Sequence, residues 1–101
     1  MRFQARGVIV RRVGDCRIIF KDKESIVVQP GDGHNYYFHR WFAPKGSYGE
    51  YWADFRRVML RNKDSIGTLL GCIFYANKFG VQIHRTDREI DLKGRKIIER
   101  E

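Results

Sequence analysis

The chain has 101 residues, of which 43% are hydrophobic and 32% charged, and its 20 Lys and Arg against 12 Asp and Glu give a formal net charge of +8. This length fits one globular domain, 1–101, and the composition excludes a disordered or low-complexity protein. No stretch approaches the roughly 18 consecutive apolar residues of a membrane-spanning helix, and no secretory signal is visible. We therefore expect a cytoplasmic protein with no membrane partner.

The first forty residues are typical of an antiparallel sheet. A turn at Gly14–Asp15 separates two alternating runs, and a third apolar run, Ile26–Val27–Val28, ends at Pro30–Gly31. An aromatic run over 36–42 follows. Because the connections between these runs are short, the pattern predicts an antiparallel β-meander of about four strands.

The clearest periodic signal predicts an amphipathic helix over residues 48–62. Apolar side chains recur at i, i+3, i+4, i+7 and i+11 on one face: Tyr48, Tyr51, Trp52, Phe55 and Met59. Ser47 and Glu50 have the spacing of a capping box at the start of this helix. We expect the helix to cover one face of the sheet and the other face to be exposed or used for association.

Residues 64–79 form a second apolar segment, for which helix and strand both stay open. Helical spacing, with Asp64 or Ser65 as N-cap and Gly80 after the end, favours a helix. Two internal glycines, each costing about 1 kcal/mol in a helix, and the β-propensity of Ile73–Phe74–Tyr75 favour a strand. Helix is the interpretation we prefer.

The last 21 residues predict a short C-terminal hairpin. Val81–Gln82–Ile83 and Ile90–Asp91–Leu92 are typical of short strands, and Lys93–Gly94 is a turn candidate leading into Ile97–Ile98. Strands, a central helix and a second apolar segment together predict an α+β fold.

The positive charge is spread along the chain, so a basic surface has to be assembled by folding. Arg11, Arg12 and Arg17 flank the turn at Gly14, with Asp15 the acidic residue between them. If the first two strands pair, these guanidinium groups lie close together at a hairpin tip. We predict that this hairpin binds phosphate groups; a merely solvated basic surface is the alternative.

The segment 34–42 combines aromatic rings with histidine and arginine. On an extended strand Tyr37, His39 and Trp41 share one face, and Arg40 lies on the other. Aromatic rings stack on nucleobases, and arginine binds phosphate. We expect Tyr37 and Trp41 to be exposed and predict that they and Arg40 contact nucleic acid; packing within a sheet core is the alternative.

The histidines and cysteines show no recognised metal or nucleophile motif. His34 and His39 fall on opposite faces of a regular strand, while Cys16 and Cys72 belong to no CxxC pair, so we expect reduced thiols and neither metal nor cofactor. A single long-range disulfide is the alternative. A histidine general base is what a small metal-independent ribonuclease would need.

These patterns predict a small basic protein that binds DNA or RNA and catalyses no reaction. One alternative is a protein-interaction module or small inhibitor that docks an acidic protein or self-associates as a homodimer, because Tyr, Trp and Arg are enriched at interfaces. The second alternative is a metal-independent ribonuclease or toxin-like enzyme.

Overall fold

The computed structural model describes residues 7–40, 48–63 and 66–100, with the backbone alone for 48–50. Within these ranges the elements are β1 (Val8–Val13), β2 (Cys16–Asp22), β3 (Ser25–Gln29), β4 (Asn35–His39), α1 (Tyr48–Arg61), α2 (Leu69–Phe79), β5 (Gln82–Thr86) and β6 (Ile97–Arg100). The strands form one sheet in the order β5-β4-β3-β2-β1-β6. The α+β fold is confirmed.

The first four strands form the predicted antiparallel meander. Gly14, with φ of 60°, allows the tight turn that places Val13 opposite Cys16. Asp22 closes the next turn, because its Oδ1 accepts hydrogen bonds from the Glu24 N–H at 2.8 Å and the Ser25 hydroxyl at 2.9 Å. Each turn thus sets the register of its neighbouring strands.

Helix α1 covers one face of this sheet, as its periodicity predicts. Trp52, Phe55 and Met59 are buried, and the Phe55 ring lies 5.8 Å from that of Phe38 on β4. Tyr51 is 49% exposed, because it stands at the flank of the stripe instead of its centre. Ser47 and the side chains of Tyr48 and Glu50 lie outside the described residues.

The second apolar segment contains the preferred helix, with a later start. The N-cap of α2 is Thr68, whose hydroxyl accepts from the Gly71 N–H at 3.1 Å, whereas Asp64 and Ser65 lie outside the described residues. Gly80 has φ of 73° and ends the helix, as expected. Gly67 precedes α2 and packs so closely on Val13 that no Cβ would fit there.

The face of the sheet away from α1 is covered by residues 87–96, which we name the strap. β5 pairs with β4 at one edge, and β6 pairs parallel to β1 at the other, so the chain between them has to cross the sheet. Ile90 and Leu92 of the strap pack on a second apolar cluster, formed by Val8, Val10, Ile19 and Val27.

The predicted C-terminal hairpin is present as a hairpin-like element, whose last strand pairs with β1. A hairpin-like turn exists at Lys93–Gly94, where the Arg95 N–H donates to the Leu92 carbonyl at 3.0 Å. Residues 90–92 are not a strand, however, and β6 pairs with β1. The apolar residues of 90–92 pack face-on against the sheet, which removes them from water without strand pairing.

Both cysteines are free and buried, Cys72 on α2 and Cys16 on β2. Burial raises the pKa of both thiols, that of Cys72 to about 12. The Cys72 Sγ donates to the Ile66 carbonyl at 3.3 Å. Among the helices of the described ranges, none is long and apolar enough to cross a membrane.

Candidate functional site

The sheet divides the three arginines of the predicted phosphate site between its two faces. Arg11 is 3% exposed on the α1 side, and its Nη1 donates to the Met59 carbonyl at 2.9 Å. Burial lowers the pKa of its guanidinium. Because alternate residues of a strand point to opposite faces, Arg11 cannot join Arg12. Arg11 is thus inaccessible to a phosphate group.

Arg12 and Arg17 do lie directly opposite each other on β1 and β2, on the strap side. The Arg12 Nε forms a salt bridge with Glu99 Oε1 at 2.9 Å. The Arg17 Nε and Nη2 donate to Gln29 Oε1 at 2.9 and 2.6 Å. Both guanidinium groups therefore belong to a row of hydrogen-bonded polar side chains across the strap side of the sheet, from Glu99 through Arg12 and Arg17 to Gln29.

This polar row continues to the strap. The Gln29 amide donates to Asn35 Oδ1 at 2.9 Å, and the Asn35 amide donates to the Arg88 carbonyl at 2.6 Å. The second bond fixes the backbone of the strap where it leaves β5. The row thus positions Arg88 relative to the sheet.

Arg40 follows β4, and its Nε lies 2.9 Å from Glu24 Oε1 in an exposed salt bridge. Its charge is therefore shared with a surface carboxylate. Trp41 lies outside the described residues. Of the predicted aromatic pair, Tyr37 lies within the described residues.

Tyr37 is half-buried on the strap side of β4 and stacks on His39. Their ring centroids are 5.9 Å apart and the planes differ by 9°. Burial raises the pKa of Tyr37, opposed by Arg88. The expectation that Tyr37 is exposed is corrected to half-buried, since Tyr37 also packs against the second apolar cluster beneath the strap.

Tyr37 and His39 form part of a cavity of about 400 Å³, which we name the strap groove. His84 and Thr86 of β5 complete its floor, with His84 directly opposite Tyr37 in the strand register. Its rim is formed by Lys21 of β2 and by three strap residues, Arg88, Glu89 and Asp91. Three separate parts of the chain thus meet in one concave site.

The charges of the strap groove balance unless its histidines are protonated. Lys21 and Arg88 face two carboxylates, of which Asp91 also accepts the Lys93 N–H at 3.0 Å. Burial lowers the pKa of His39, reinforced by His84 and Lys21 and opposed by Asp22. The groove gains positive charge when His39 is protonated.

Sequence reasoning did not assign Lys21, His84 or Arg88 to a site. The alternation of β5 could have placed His84 and Thr86 on one face. The pairing of β5 with β4, which brings His84 beside Tyr37, joins residues 47 positions apart and has no local signal.

Within the described part of the chain, no three His, Cys, Asp or Glu side chains are placed to hold a metal ion. Comparison with family models, with curated proteins and with solved structures gives no match. The geometry of the groove is therefore the basis for any functional assignment.

Proposed function

We propose that this protein binds single-stranded nucleic acid in the strap groove. The observation that carries the proposal is a stacked pair of flat rings, Tyr37 and His39, on the floor of a cavity with Lys21 and Arg88 at its rim. Rings that stack on bases beside cations that bind phosphate are the two recurring parts of single-strand binding sites.

The groove favours a single strand over a duplex. Its volume of about 400 Å³ suits one or two nucleotides, within the range of about 300–1,000 Å³ typical of small-ligand sites. The Tyr37 ring is half-buried, so only a base that is already unstacked can reach it. Duplex bases are paired and stacked, and the strap stands between them and the sheet.

The two carboxylates of the rim orient the bound strand. Glu89 and Asp91 repel phosphate, so the backbone has to lie toward Lys21 and Arg88. Carboxylates accept hydrogen bonds from the exocyclic amine of cytosine, which gives Glu89 and Asp91 a role in contacting the base. Arg17, on the same face, supplies a further cation for a longer strand.

Charge reversal in the groove tests this proposal against general electrostatic attraction. The double variant Lys21→Glu, Arg88→Glu should weaken binding of a fluorescent single strand at least tenfold. It should also lower the slope of log affinity against log salt by about 1.4, because about 0.7 is lost per phosphate contact.

The matched control is Arg61→Glu, Lys63→Glu, on exposed residues at and after the end of α1. Both double variants lower the formal net charge from +8 to +4. Equal losses of affinity in the two variants would show that only net charge matters and would overturn the groove as the binding site.

A second experiment tests the stacking of Tyr37 on a base. Tyr37→Phe should keep the affinity for the single strand, whereas Tyr37→Ala should lose about 5- to 150-fold of it, equivalent to one stacked base.

The exposed face of α2 favours a second function, self-association. Leu70 is 78% exposed and Phe74 61%, one helical turn apart, while Cys72 and Ala76 occupy the buried face. Exposed apolar stripes of this kind mark interaction sites. Two antiparallel copies of α2 would place Leu70 of one chain against Phe74 of the other, so the partner we propose is a second copy.

A further inference from the structure

His39 and His84 project side by side from neighbouring strands into the strap groove. His84 lies opposite Tyr37, and His39 is two residues further along β4, so the two histidines are diagonal neighbours across an antiparallel pair. Such neighbours are about 7–8 Å apart at the backbone. This spacing leaves room for one phosphodiester between imidazoles that each reach a different oxygen, at about 2.6–3.2 Å.

We propose that the strap groove cleaves single-stranded RNA, with His39 as general base and His84 as general acid. The inference rests on the proposed function, because the groove first has to hold a strand. Among nucleic acids, RNA is the substrate because it carries its own nucleophile, the 2′-hydroxyl, and so requires neither a metal ion nor a bound cofactor.

The reaction is an internal transfer of the phosphoryl group. His39 takes the proton of the 2′-hydroxyl while the 2′-oxygen forms a bond to the adjacent phosphorus. The bond from phosphorus to the 5′-oxygen of the next nucleotide breaks, and His84 gives that oxygen a proton. The products are a 2′,3′-cyclic phosphate and a 5′-hydroxyl end, and exchange with water restores both imidazoles.

The neighbours of the two histidines suit these roles. Lys21 and Arg88 at the rim stabilise the extra negative charge that the phosphorus oxygens carry in the transition state. Tyr37 stacks on His39 with nearly parallel rings, which fixes the orientation of the His39 imidazole, the general base. His84, on the floor beside it, is exposed, so water reaches its ring.

The pH dependence follows from the charges that surround His39. Burial, His84 and Lys21 lower its pKa and Asp22 opposes them, while Arg88, Glu89 and Asp91 face the same groove from the strap. A base acts when neutral, so the rate should rise with pH through a value below the usual 6.5 of histidine.

The experiment incubates the full chain, in EDTA, with a labelled single-stranded RNA and with the same sequence as 2′-deoxy DNA. We expect cleavage of the RNA alone, with cyclic phosphate ends found by mass spectrometry. His39→Ala and His84→Ala should each slow cleavage at least 100-fold. The affinity of His84→Ala for the uncleavable DNA strand should stay within about threefold, whereas His39→Ala also removes the ring that stacks on Tyr37.

His34→Ala is the matched control, because His34 lies outside the groove, 3.2 Å from Arg85. It should retain the parental rate. Binding of the DNA strand without cleavage of RNA would overturn the inference and leave the proposed function standing. Cleavage that survives in both His39→Ala and His84→Ala, as from a contaminating nuclease, would also overturn the inference. Absence of binding to both the RNA and the DNA strand would overturn the proposed function and the inference together.

Discussion

Arg11 and Arg12 show that the face of the strand on which a side chain lies decides its role. They are neighbours in sequence, yet Arg11 is buried against Met59 while Arg12 is exposed beside Glu99. The Met59 carbonyl lies in the last turn of α1, where backbone carbonyls lack partners within the helix and a nearby cation is favourable. Arg11 thus caps α1 from the sheet.

Removing that cap should destabilise the fold without affecting binding. Arg11→Met keeps an unbranched side chain that replaces the aliphatic part of Arg11 but leaves the Met59 carbonyl without its donor, so we expect the free energy of unfolding to fall by about 1–3 kcal/mol. Urea denaturation measures the change. Arg12→Gln, which removes only an exposed salt bridge, should lower it by less than about 1 kcal/mol. Equal losses would contradict the capping role.

At the scale of the element, the spacing of apolar residues predicts that a helix is present more accurately than it predicts where the helix begins and ends. The stripe of Trp52, Phe55 and Met59 is buried as its spacing indicates. The start of α2 depends instead on Gly67, whose close approach to Val13 of β1 leaves no room for a Cβ. That contact joins two distant parts of the chain, so local propensity could not locate it.

The exposed stripe of α2 predicts a concentration-dependent dimer. Sedimentation velocity over a wide concentration range should show association that Leu70→Glu, Phe74→Glu abolishes, because two charges in the interface would have to be buried. The melting temperature of the monomer should hardly change, since both side chains are exposed. Lys93→Glu gives the same charge change on the strap and should leave the dimer intact; a parental chain that stays monomeric throughout contradicts the interface.

At the scale of the whole molecule, the strap gives the sheet a second core. α1 buries one face, and Ile90 and Leu92 cover the apolar centre of the other. The strap also separates the groove around Tyr37 from a second cavity of about 450 Å³ beside Arg17, because Glu89 lines both. One connection therefore completes the fold and shapes the candidate site.

Weakening the strap should lower both stability and binding. Ile90→Ser, Leu92→Ser removes two partly buried side chains, and we expect the free energy of unfolding to fall by about 2 kcal/mol. Hydrogen exchange should increase in β1 to β3 beneath the strap, and the single strand should bind more weakly. A double variant with unchanged exchange in these strands would show that the strap does not protect the sheet.

The sequence by itself determined the α+β class, the meander and the first helix, and favoured the second helix over a strand, because short turns and apolar periodicity are local properties that act within about 15 residues. It also placed Tyr37 among the residues expected to contact nucleic acid, and Arg12 and Arg17 as neighbours across a hairpin, which the register confirms.

Only the tertiary structure decided what those residues face. Pairing of β5 with β4 brings His84 beside Tyr37, and pairing of β6 with β1 draws the strap across the sheet with Arg88. These pairings join segments far apart in the chain, and their free energy comes from burying both apolar faces at once. No short stretch of sequence contains that information, because it belongs to the folded chain as a whole.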